Sequence, residues 1–76
     1  MRTSQEIIAR KIRRYRKRTH TSQSEFAFRC EMTDRYLSNI ENAQANPSLF
    51  KLCKISNAMG IPVHELLQPE DESVES

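Results

Sequence analysis

The stretch Gln23-Ser24-Glu25-Phe26-Ala27-Phe28-Arg29-Cys30-Glu31-Met32-Thr33-Asp34-Arg35-Tyr36-Leu37-Ser38-Asn39-Ile40-Glu41 decides the fold. It reads as two short helices around a tight turn at Cys30 to Met32. Ser22 and Glu25 have capping-box spacing, and Phe26, Ala27 and Cys30 give the helix that follows an apolar edge of about two turns. Thr33 is the next N-cap candidate. Leu37 and Ile40 then share one face, while Arg35, Ser38, Asn39 and Asn42 fall on the opposite one. That polar face has no evident core role. Two helices so arranged suit a duplex: the first braces against the backbone, and the second enters the major groove, about 12 Å wide, with its outer side chains at base edges.

Outward from this motif the chain stays helical. Thr3 and Glu6 form a capping-box pair, and Ile8, Ile12 and Tyr15 recur on one face, so a first helix is expected from near Thr3 or Ser4 to near Thr19 and His20. Asn42 to Pro47 is a polar loop, after which Ser48 caps a helix with Leu49, Leu52 and Ile55 inward and Gly60 as its stop. Pro62 opens a last short helix through Leu67, and Pro69 ends it. Five helices, one glycine and no alternating strand pattern make the expected fold all-α and compact. Cys30, Cys53, Met32 and Met59 read as core residues, and His20 and His64 as surface ones.

The net charge of +2 hides an asymmetry. Residues 1–67 carry all 12 Lys and Arg and stand at +6, whereas Gln68 to Ser76 contribute −4 and no base. The chain is expected to divide into a helix-turn-helix domain at 1–67 and an acidic, disordered tail at 68–76. Seven of the nine residues Arg10 to Arg18 are basic, a density that suits a polyanion or simply a solvated helix face. The two cysteines show neither a disulfide framework nor a zinc spacing and read as free thiols of a reducing compartment. No apolar run nears the roughly 20 residues of a membrane span. A cytoplasmic, nucleoid-associated protein is expected.

The segments Ile12-Arg13, Tyr15-Arg16-Lys17, Thr21-Ser22-Gln23-Ser24-Glu25-Phe26-Ala27, Tyr36-Leu37-Ser38-Asn39-Ile40-Glu41 and Asn46-Pro47-Ser48-Leu49 are together similar to the Cro, lambda-repressor and xenobiotic-response-element type of helix-turn-helix regulators. The resemblance runs from about Ile8 to Leu67. It implies a compact five-helix lambda-repressor-like domain, with the motif at about 22–41 and the recognition helix at about 33–42, that binds double-stranded DNA as a small transcriptional regulator. It further implies a homodimer on a palindromic operator.

By this resemblance Thr33, Asp34, Arg35, Ser38 and Asn39 face base edges, and Gln23, Tyr36, Asn42, Arg13, Lys17 and Ser22 face phosphates. Arg35 suits guanine and Asn39 adenine. Asp34 can accept from cytosine, or instead orient Arg35 or cap the helix beside Thr33. Tyr36 is divided between phosphate and core. Arg16 and Glu41 match a structural ion pair. Phe28, Phe50, Val63, Leu66 and Leu67 are candidates for a dimer patch. Three positions depart from the pattern: Glu31 and Ala43 where glycine is usual, and Thr21 where an apolar residue is expected.

Catalysis is not expected, for want of a nucleophile with paired base and acid, a carboxylate cluster or a phosphate-cradling glycine loop. No cofactor, metal or small-molecule ligand is implied, and no room is left for a sensor domain. The rival to DNA binding is a protein-binding adaptor or antitoxin module of the same fold.

Overall fold

A computed structural model describes residues 2–69. Its helices are α1 (Ser4–Thr19), α2 (Gln23–Arg29), α3 (Asp34–Glu41), α4 (Leu49–Met59) and α5 (Val63–Leu67), with no strand among the described residues. Most of the acidic segment, 70–76, lies outside the described residues.

Four helices begin the same way. The hydroxyls of Thr3, Ser22, Thr33 and Ser48 accept the amides of Glu6, Glu25, Tyr36 and Lys51, which removes one unsatisfied donor from each first turn. At Thr3 the box is complete, because Glu6 accepts the Thr3 amide in return at 3.0 Å. At Ser22 only half of it forms: Glu25 reaches forward one turn to Arg29 instead, at 3.0 Å.

The first four helices also end alike. His20, Glu31, Ala43 and Gly60 take left-handed backbone, with φ of 55°, 58°, 58° and 74°. In each case that residue's amide bonds a carbonyl three residues back, and the next amide bonds one five residues back, as in Thr21 to Arg16 and Met32 to Ala27. This double bond set is the Schellman closure, which glycine usually serves. Here three of the four positions carry a β-carbon.

The helices close over one core. Ile8 and Ile12 of α1 meet Phe26 and Ala27 of α2, Leu37 and Ile40 of α3, Leu52 and Ile55 of α4, and Leu66 of α5, with Cys30 in the turn. Tyr15 packs at a tilt on Phe26, 5.7 Å between ring centres, and its hydroxyl donates to the Ala58 carbonyl. Met32 and Met59 are half-buried against the cluster, and Cys53 is half-buried. Burial pushes the Cys30 thiol up to about 11, which suits an inert core filler.

Two expectations are corrected. Leu49 is 68% exposed, because it opens α4 and projects past the end of the core, while Ser56 takes the inward place one turn beyond Leu52 and satisfies its hydroxyl on the Cys53 carbonyl. Leu66 is fully buried within the chain's own core, so it offers no surface to a second copy.

Candidate nucleic-acid interface

The turn between α2 and α3 is fixed from three sides. Glu31, in left-handed backbone, pairs with Lys54 of α4, whose hydrogen bond holds the Glu31 carboxyl below its ordinary range. On the outer side the Ser24 hydroxyl donates to Asp34, tying the first turn of α2 to the first residue of α3. On the inner side Phe26, Ala27, Cys30 and Leu37 pack together. The angle between the two helices is thereby set by apolar contact and by one polar tie across the surface.

Behind α3, Arg16 of α1 grips Glu41 with two hydrogen bonds, Nε at 2.6 Å and Nη2 at 2.7 Å. The Glu41 side chain is nearly buried and that of Arg16 mostly so. Arg16 Nη1 also donates to the Thr21 carbonyl at 3.1 Å, and the Gln23 amide reaches Glu41 at 3.4 Å. The Glu41 bonds raise the Arg16 pKa above its already high ordinary value, so the guanidinium stays charged. Planar two-point pairing of this kind fixes orientation as well as distance. Thr21, at the position where an apolar residue is usual, is buried and shares a hydrogen bond with the Thr19 hydroxyl.

What remains outward on α3 is polar. Thr33, Asp34 and Arg35 are exposed, Ser38 and Asn39 are half-exposed, and Asn42 is exposed at the helix end. Arg35 makes no hydrogen bond or ion pair to any described residue. Thr33 and Ser22 use a lone pair as caps and keep the hydroxyl proton for another acceptor. Tyr36 is half-buried at the core's edge, with the Lys51 ammonium 5.8 Å above its ring.

Helical geometry sorts the basic run of α1 into separate faces. Arg10, Arg13 and Lys17 recur at i, i+3 and i+7 on one stripe; Lys11, Arg14 and Arg18 do so on another, beside Met59 and Ile61. Arg16 is taken up by Glu41. Arg10, Arg13 and Asn42 line one open groove between α1 and the end of α3, so the upper part of the first stripe borders that end of α3. Among the described residues no His, Cys, Asp or Glu cluster could hold a metal ion, and no helix is long and apolar enough to cross a membrane.

Residues 12–66 match the helix-turn-helix family pattern. The chain belongs to the Cro/C1-type helix-turn-helix family. Among helix-turn-helix relatives, the transcriptional regulator SinR of Bacillus licheniformis is 41% identical over 68 residues, 88% of this chain and 61% of SinR. Control protein C.BamHI of Bacillus amyloliquefaciens is 36% identical over 62 residues, 80% of this chain and 76% of that protein. The crystal structure of the hypothetical transcription factor NHTF from Neisseria matches with a TM-score of 0.84 at 28% identity, covering 93% of this chain and 80% of that one. This chain thus spans about 61% of the length of SinR.

Three features of this helix-turn-helix site left no mark in the sequence pattern. The Ser24–Asp34 tie joins residues ten apart, and the Glu31–Lys54 pair residues 23 apart, so neither has a local periodic signal. Arg10 was legible only as one base among seven; its place on the groove wall needed the three-dimensional position of Asn42.

Proposed function

We propose that this chain is a small transcriptional regulator that binds double-stranded DNA by sequence, with α3 in the major groove, acting as a homodimer on a palindromic operator in the cytoplasm. The observation that carries the reading is Arg35: a guanidinium exposed on α3, without a partner among the described residues, on a helix whose end is bordered by Arg10 and Arg13. Arg35 has the donor fork that guanine O6 and N7 accept, and Asn39 the amide that pairs with adenine, with Thr33 and Ser38 at the margins of the same face. Asp34 is engaged by Ser24, which favours a bracing role over base contact. Gln23, Ser22, Tyr36, Asn42, Arg13 and Lys17 supply donors for the flanking phosphates. The names of SinR as a transcriptional regulator and of C.BamHI as a control protein support this assignment.

The second reading, a protein-binding module, draws on Phe28 and Phe50, which are 83% and 66% exposed. That apolar surface suits a protein contact, whereas the face of Arg35, Ser38 and Asn39 suits bases.

Selection of bound duplexes from a random pool tests the assignment. The expected product is a palindrome with half-sites one helical turn, about 34 Å, apart. Arg35→Ala then costs about 1–3 kcal/mol on the selected duplex and relaxes one base position. An equal loss on selected and random duplex removes Arg35 from base reading.

A further inference from the structure

The basic stripe of α1 does not end where the expected phosphate contacts do. Arg13 and Asn42 share their groove with Arg10, so the wall opposite the end of α3 carries two guanidiniums of α1. The groove is open and has a volume of about 400 Å³, room for a phosphodiester and the water that accompanies it. Arg10 is half-buried in that wall and makes no hydrogen bond or ion pair to any described residue. A guanidinium presents five N–H donors and no acceptor, and here part of its hydration is replaced by groove wall.

Two carboxylates, Glu6 and Glu41, line the same groove. Glu41 is held by the Arg16 fork at 2.6 and 2.7 Å. Glu6 accepts the Thr3 amide and sits at the start of α1, where the helix dipole favours a carboxylate. The last carbonyls of α3 would oppose an anion, but those of Ser38, Ile40 and Asn39 accept the amides of Asn42, Ala43 and Gln44. With Glu41 neutralised by Arg16, Arg10 and Arg13 outweigh Glu6 and leave the groove a net positive charge and a surplus of donors, with the Asn42 amide on its far side.

We infer that this groove is a phosphate-binding track for the DNA backbone, in which Arg10 extends the contact made by Arg13 and Asn42. The inference rests on the duplex-binding reading above and adds a residue to it that the recognition pattern does not assign. Arg10 holds a phosphate oxygen through its guanidinium, Asn42 approaches from the opposite wall, and sequence plays no part in either contact.

Salt dependence separates this from a general attraction. Fluorescence anisotropy of the full chain with a mixed-sequence duplex of about 24 base pairs, between roughly 50 and 200 mM NaCl, gives the slope of log K against log salt. Arg10→Gln is expected to lower that slope by about one, so that its deficit against the wild type shrinks about three-fold across the range, while Arg10→Lys keeps the wild-type slope. Arg18→Gln removes a charge from the other stripe and leaves the slope unchanged. Unaltered far-UV circular dichroism and melting confirm that each variant is folded. A wild-type slope for Arg10→Gln overturns the groove, and so do equal losses from Arg10→Gln and Arg18→Gln, which mean a diffuse field. Both outcomes leave duplex binding standing. A wild-type chain with no salt-dependent affinity for any duplex instead removes the function proposed above.

Discussion

Ala43 sits at φ 58° in the loop after α3, a left-handed conformation that costs a residue with a β-carbon about 1 kcal/mol or more. Glu31 stands at the same φ in the turn of the motif, but there the side chain returns something, because its carboxylate pairs with Lys54. The two positions therefore respond differently to glycine. Ala43→Gly relieves roughly 1–2 kcal/mol of left-handed strain against about 0.4–1 kcal/mol lost to the freer unfolded chain, and is expected to raise the unfolding free energy by up to about 1 kcal/mol in urea titrations. Glu31→Gly gains less, since it also deletes the ion pair. Acid provides the internal check. Lys54 lowers the Glu31 pKa below the ordinary carboxyl value of 4.5, so the pair contributes at neutral pH and fades as pH falls through that lowered value. The gap between the two glycine variants should close in acid; a gap that stays constant down to the unfolding pH shows that the pair contributes nothing.

At the scale of helices, a shielded ion pair reinforces the core packing that holds the motif to α1. Arg16 and Glu41 join α1 to the end of α3, and both are largely shielded from water. Removing one partner strands the other, so Glu41→Ala is expected to cost about 3 kcal/mol, measured by denaturant unfolding. The double change Arg16→Met with Glu41→Leu should recover most of that, because an apolar pair of similar volume needs no ionic compensation. A loss under about 1 kcal/mol for Glu41→Ala instead makes the pair an ordinary surface contact. The helices themselves were legible in the sequence because their signals are local: the caps at Thr3, Ser22, Thr33 and Ser48 lie three residues from their partners, and the core stripe repeats every three or four. Leu49 misled because periodicity places a residue on a face without saying where the core ends. The polar face of α3 was legible by elimination. The tie that holds Asp34 was not, since the Ser24 hydroxyl reaches it only once α2 and α3 have packed.

For the molecule as a whole, the question is what covers the apolar side chains that the core leaves outside. A domain of this size buries only about 60% of the surface its unfolded chain exposes, so added burial between copies has a large relative effect on stability. Phe28, Leu49 and Phe50 are each more than two-thirds exposed or close to it, and Leu67 is exposed, whereas Val63 is partly and Leu66 wholly used within the chain. The proposed homodimer must therefore be built from the first four. Its signature is mass action: if dissociation accompanies unfolding, each tenfold rise in protein concentration stabilises the dimer by about 1.4 kcal/mol and lifts the melting temperature by roughly 3–5 °C. Phe28→Ser and Phe50→Ser, made singly, locate the interface, since the substitution that lies in it abolishes the concentration dependence while the other leaves it intact. A melting temperature constant over a hundredfold range, together with binding to an isolated half-site as tight as to the palindrome, makes the folded unit a monomer and transfers its exposed aromatics to a different protein partner.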